Sequence, residues 1–264
     1  MSAPVFLSVE AADARAGDVL TVAGDEGRHA VTVQRRGVGE RVDLVDGLGR
    51  RASGVIAEAA DGVMRVRIDA VRSDDDPEVV LVQALAKGGR DEQAVEASIE
   101  LGATRIVPWQ AGRSIVQWRG PKAAKARERW ASLVIAATKQ SRRARVAAVD
   151  DVVTTRELAV EVARAVADGA RVLVLHESAS RPLTALEWAD ARQPVWLIVG
   201  PEGGIADDEV GALADAGAEA VVLGPHVLRA SSAGPAAIAS LAAARGTWGD
   251  GAAEADGPRG GGLR

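Results

Sequence analysis

Apolar and polar positions alternate in two rhythms that change near residue 74. Before that point the chain carries short β-prone runs at residues 5–9, 19–23, 41–45, 51–57 and 63–70. Gly- and Asp-bearing turns such as Asp46-Gly47-Leu48-Gly49 separate them. Several short strands with close turn signals predict a small barrel or sandwich. One stretch, 25–36, breaks the pattern and reads as a short helix with Asp25 in the N-cap role. It gathers Arg28, His29, Arg35 and Arg36.

Asp74-Asp75-Asp76-Pro77 is charged and turn-prone, and marks the domain boundary. Beyond it, strands and helices alternate. Residues 79–86 form a buried strand, 91–101 a helix closed by Gly102, and 105–107 a strand. Residues 121–140 form a helix with proline in its first turn, where Ala126, Trp130, Leu133, Val134 and Ala137 recur at helical spacing as an inward stripe. Strands at 171–175, 195–199 and 220–223 then alternate with helices around 183–191, at 207–216 and at 235–245. Such alternation implies an α/β fold with a mostly parallel sheet covered on both faces. The expected organisation is a β domain over 1–73, an α/β domain over 74–247 and a disordered, glycine-rich tail over 248–264.

The 264 residues are 47% apolar, enough for a substantial core. There is no cysteine and only three histidines, which excludes thiolate chemistry and makes a metal cluster unexpected. No basic leader or membrane-length apolar run occurs, so the cytoplasm is the default and no membrane partner is expected. The net charge of -5 hides a local inversion. Between Arg113 and Arg145 ten basic residues face a single acid, Glu128. That concentration suits a localised polyanion site, while the charges on the helix proper equally suit a solvated face.

Candidate chemistry gathers at Gly200-Pro201-Glu202-Gly203-Gly204, between the apolar run 195–199 and the acidic helix start Asp207-Asp208-Glu209. Glycines there let backbone approach a ligand, but Glu202 argues against a phosphate cradle. A second turn, Gly224-Pro225-His226-Val227-Leu228-Arg229, follows the next strand, so both loops belong to the ligand-binding edge of an open α/β sheet. The signatures for ATP and dinucleotide binding are absent. S-adenosylmethionine, cationic and free of phosphate, fits this loop pair, although spacing alone does not select it uniquely. His176 projects from the same edge, as a ligand contact or a hydrogen-bonded loop histidine. Asp91, Glu96 and Glu100 read as a solvated or capping helix face rather than as catalytic acids.

The two C-terminal motifs, residues 197–204 and 223–229, resemble those of the bacterial 16S rRNA (uracil-N3) methyltransferases of the SPOUT superfamily, the RsmE type. Upstream, Ala84-Leu85-Ala86-Lys87-Gly88, Glu100-Leu101-Gly102-Ala103, Arg105-Ile106-Val107-Pro108, Arg113-Ser114 and Gln140-Ser141-Arg142-Arg143 resemble the family in the same order. The resemblance implies a PUA-like N-terminal barrel, a methyltransferase domain with a deep C-terminal trefoil knot, a homodimer and a 16S rRNA substrate within the small ribosomal subunit. It further implies a cofactor pocket for S-adenosylmethionine made by Leu175, His176, Gly200, Glu202, Gly203, Gly204, Leu223, Gly224, Val227, Leu228 and Arg229. Catalytic cations would be Arg229, Arg142 and Arg143. RNA contacts would come from Arg28, His29, Arg35, Arg36, Arg113, Gln140, Arg142, Arg143 and Arg145. The chain departs from the family pattern at Val5, where arginine is common, at Ala144, where some members carry a polar residue, and at Ala230-Ser231-Ser232, where a Thr-Glu-Thr-like run is common. Rival readings are a ribose 2′-O or tRNA methyltransferase of the same fold, and an inactive RNA-binding relative.

Overall fold

The computed structural model describes residues 3–248. Apart from Trp248, the tail expected to be disordered lies outside the described residues. The described residues form two compact units: those up to Asp76 with Ala124–Val149, and Pro77–Ala123 with those from Asp150 to Trp248.

The first unit is built on five strands, β1 (Val5–Leu7), β2 (Val19–Val22), β3 (Arg41–Val45), β4 (Arg50–Ala60) and β5 (Val63–Ser73), in the order β1-β3-β4-β5-β2. β1 runs parallel to β3, and the other pairs are antiparallel. In β5, Met64, Val66 and Ile68 are buried and alternate with Arg65, Arg67 and Asp69, the period of a strand wet on one face. They meet Phe6, Val42, Leu44 and Ile56 in one core. The 25–36 segment differs from expectation. Helix α1 (Gly24–Arg28) is preceded by Ala23, and Asp25 pairs with the Arg28 side chain instead of capping the backbone. A π-helical turn, His29–Val33, continues it.

Helix α3 (Pro121–Gln140) joins this unit from Ala124 on, followed by the short strand β8 (Ala148–Val149). The inward stripe is present, with Trp130, Val134 and Ala137 buried. Arg51, itself buried, ties the unit together. Its guanidinium donates to Asp43 at 2.9 Å, to Asp74 at 2.5 Å and to the Arg142 carbonyl at 2.8 Å.

In the second unit, strands β6 (Val79–Ala84), β7 (Arg105–Gln110), β10 (Arg171–Leu175), β11 (Val195–Val199) and β12 (Glu219–Val221) lie in the order β12-β10-β11-β6-β7, all parallel, with β9 (Val153–Thr154) also on β7. β6 and β11 are buried at every position, as central parallel strands require. Val80, Val82, Val172, Val174, Trp196 and Ile198 face helices α4 (Thr155–Ala167) and α5 (Asp207–Asp215). The alternate residues, Leu81, Leu173 and Leu197, face the opposite way, where α2 (Arg90–Leu101) and α6 (Ala230–Arg245) pack on each other and on the sheet. Both faces are therefore covered.

Three elements differ from the sequence reading. α4 was not anticipated. The 183–191 helix is one 3₁₀ turn, Leu183–Ala185, because Leu183 N–H donates to Val222 and Val222 N–H to Arg181, and the flanking backbone pairs as a strand would. Past it, the Arg171 and Arg245 guanidinium groups each lie over the Trp188 ring, at 4.9 and 5.2 Å from its centre. α6 begins five residues early. Arg229 is its N-cap, accepting from the Ser232 and Ala233 amides, so Pro235 lies inside the helix rather than at its start.

Candidate functional site

Parallel pairing places the C-terminal ends of β10, β11 and β12 at one sheet edge, each continued by one of the loops singled out above. They enclose a cavity of about 600 Å³. Its lining includes every residue assigned to the cofactor pocket: Leu175, His176, Gly200, Glu202, Gly203, Gly204, Leu223, Gly224, Val227, Leu228 and Arg229. Arg90, Arg113, Glu177 and Asp207, for which no pocket role was expected, line it too.

His176 is fixed twice: its N–H donates to the Val221 carbonyl at 3.0 Å, and its Nδ1 accepts from the Ser178 amide at 3.3 Å. It is thus a hydrogen-bonded loop histidine, and it also lines the cavity. Glu202 turns away from a purely ligand role. Its Oε1 accepts from the Lys87 amide at 3.3 Å and from Arg90 at 3.1 Å, tying the glycine turn to the loop entering α2. That loop is held from its other side by Asp91, whose buried carboxylate accepts from the Ala86 amide at 3.1 Å. Burial pushes the Asp91 carboxyl above the usual range, against the lowering effect of its backbone hydrogen bonds. Asp91 is buried and bonds the Ala86 and Glu92 amides, Gly89 rather than Asp91 being the N-cap of α2, while Glu96 and Glu100 are exposed.

Arg113 donates to the Gly203 carbonyl at 3.1 Å. A Cβ at Gly203 would approach the Arg113 Cβ to 3.2 Å, so glycine is what allows this side chain to lie on the turn. Arg229 is exposed at the rim of the cavity and its guanidinium has no hydrogen-bond partner among the described residues. No group of three or more metal-ligating side chains occurs among the described residues, and no helix there is long and apolar enough to cross a membrane.

Residues 74–242 match the family model described as an RNA methyltransferase domain. Over 238 residues the chain is 44% identical to the Ribosomal RNA small subunit methyltransferase E of Mycobacterium tuberculosis, covering 88% of this chain and 89% of that relative. The chain belongs to the ribosomal RNA small subunit methyltransferase E family. Among solved structures, the family member from Neisseria gonorrhoeae bound to S-adenosyl methionine superimposes with a TM-score of 0.80 at 27% identity, over 92% of this chain and 98% of that one. A putative methyltransferase from Legionella pneumophila, in complex with the same cofactor, gives 0.77 at 27% identity over 92% and 98%.

Within this methyltransferase E chain, the RNA-contact candidates other than Arg113 all lie in the first unit. Arg36 pairs with Glu40 at 2.9 Å, and His29 Nε2 meets the Gln34 amide nitrogen at 2.9 Å. Arg35 is exposed with φ +54°, and Gln140 is exposed at the end of α3. Arg142, at φ +59°, has its carbonyl held by Arg51. Arg143 is mostly buried and pairs with Asp76 at 2.9 Å. Neither Arg142 nor Arg143 lines the cavity. The departures at Val5 and Ala144 meet each other: both are buried in one apolar cluster with Val45, against Leu7. Both side chains are apolar, so their burial strands no charge. Ala230 is buried in the first turn of α6.

Proposed function

We propose that this protein transfers a methyl group from S-adenosylmethionine to N3 of one uridine in the decoding region of 16S rRNA, acting on the small ribosomal subunit as a homodimer. The observation that carries this reading is the cavity at the sheet edge, formed by both glycine turns and edged by Arg229, in a chain of this family.

The residues present fit the cofactor. The cavity is of small-molecule size, and its walls combine the apolar Leu175, Leu223, Val227 and Leu228 with backbone from the two turns. A Cβ on Gly224 would meet nothing within 4 Å, so that turn leaves open space beside its backbone. Glu177 and Asp207 offer carboxylates for a sulfonium, and the lining acids, Glu202 included, offset the cations Arg90, Arg113 and Arg229, with Glu202 already paired to Arg90. When bound, S-adenosylmethionine supplies an electrophilic methyl group.

The protein's own task is to present uracil N3 in its deprotonated form. Arg229, exposed and without a side-chain partner among the described residues, stabilises negative charge on the base as the N3 proton passes to water. Arg142 or Arg143 of a second copy of the chain adds a further cation. N3 lies on the Watson–Crick edge, so the uridine is unpaired or flipped out when it reacts. Arg28, His29, Arg35, Arg36, Arg113, Gln140 and Arg145 hold the surrounding RNA. In the same reading the first unit is a PUA-like RNA-binding barrel, and the segment ending in α6 threads a trefoil knot.

The test is to incubate the purified protein with small subunits or 16S rRNA and labelled S-adenosylmethionine, then identify and map the modified nucleoside. One 3-methyluridine in the decoding region is expected. A ribose methyl group, or label in tRNA alone, overturns the reading. Replacing Arg229→Ala is expected to reduce turnover roughly a hundredfold with a smaller change in cofactor affinity; near-normal turnover removes Arg229 from the mechanism.

A further inference from the structure

α5 opens directly after the first glycine turn, and its third residue, Glu209, is a carboxylate only 6% exposed that does not line the cavity. Its Oε1 accepts from the Gly112 amide at 2.8 Å and from the Thr155 hydroxyl at 2.5 Å. Its Oε2 accepts from the Ala206 amide at 3.1 Å. The Thr155 oxygen in turn accepts from the Trp109 indole N–H at 3.2 Å. One side chain therefore joins three segments distant in sequence: the loop leaving β7, the first turn of α4 and the start of α5. Burying a carboxylate is costly unless its oxygens are satisfied, and here both are.

The segment held at Gly112 leads straight into Arg113, which lies on the glycine turn and donates to Gly203. The close approach of Arg113 to Gly203 leaves little slack between these two walls of the cavity. We propose that Glu209 is a positioning residue, which holds the Gly112 amide, seats Arg113 on Gly203, and so sets the shape of the methyl-donor pocket without touching the donor. This deepens the functional reading above and rests on it for the identity of the ligand.

The test uses the full chain and four proteins: wild type, Glu209→Gln, Arg113→Ala and the double variant. Glutamine keeps the volume of Glu209 but turns an N–H₂ towards one of its donor neighbours, so one tie is lost. Each single variant is expected to weaken S-adenosylmethionine binding, read by calorimetry, by roughly tenfold. The double variant is expected to bind no more weakly than the worse single one, because both act through the same contact. Amide exchange over residues 111–114 and at Gly203 is expected to rise in Glu209→Gln. Thr155→Val removes one hydrogen bond to the carboxylate, and serves with a smaller shift in the same direction if Glu209→Gln does not fold. Wild-type affinity with unchanged exchange, or losses that add in the double variant, overturns the proposal. Failure of the wild type to bind S-adenosylmethionine defeats the functional reading instead, and exchange over residues 111–114 in Glu209→Gln still decides the positioning role.

Discussion

Glu202 and Asp91 are carboxylates at the edge of the same site, and both are engaged by the protein's own backbone. The sequence makes Glu202 conspicuous as an acid inside a glycine turn, enough to argue against a phosphate. Its tie to Lys87 and Arg90, more than a hundred residues away, has no local signature. Arg113 was similarly legible as a cation near RNA-binding motifs but not as a wall of the cavity, because its contact with Gly203 depends on how two loops meet. Asp91 offers a pH test. Burial raises its folded-state pKa, so between the ordinary carboxylate range and that raised value the folded protein binds more protons than the unfolded chain. Its contribution to stability is then largest in acid and is lost as pH rises through that window. Urea unfolding at a series of pH values is expected to show wild type losing ground relative to Asp91→Asn as pH rises. A difference independent of pH would contradict the assignment.

Among the elements, those with strong periodicity were legible: the buried strands at 171–175 and 195–199 and the helix at 121–140 have the expected bounds. α4 escaped although its signal was present, since Thr154 and Glu157 form a capping box ahead of Leu158, Val162 and Ala165. Thr154→Ala is expected to destabilise the second unit by about 1 kcal/mol, seen as a lower unfolding midpoint with an unchanged denaturant slope. The false helix at 183–191 has a long-range cause, because the Val222 pairing claims its backbone. The late start expected for α6 has a local one, because the first turn is capped by the Arg229 carbonyl and Pro235 sits inside the helix. Propensity reads only neighbours and so misses the first, while Pro235 looked like a helix start because proline favours the first turn.

At the scale of the whole molecule, a net charge of -5 must be overcome locally for a polyanion to dock. Several of the ten cations between Arg113 and Arg145 are already engaged: Lys139 with Glu26, Arg143 with Asp76 and Arg127 with the Val149 carbonyl. Lys122, Lys125 and Arg35 are exposed. Affinity for 16S rRNA is expected to fall steeply with salt. Arg35→Ala should weaken binding and reduce the slope of log K against log salt by about 0.7–1, leaving S-adenosylmethionine binding unchanged. An unaltered slope would remove Arg35 from the RNA contacts.

The first unit is closed by a segment that the chain delivers only after starting the second. Ala144 completes the apolar cluster of Val5 and Val45, and the Arg142 carbonyl completes the bonding of Arg51. During synthesis, then, the amino-terminal strands leave the ribosome before the partners that complete the burial and bonding of Arg51, which follow some seventy residues later. A nascent chain halted at residue 76 is an unfinished unit, and one that reaches residue 149 is the shortest that carries every part of it.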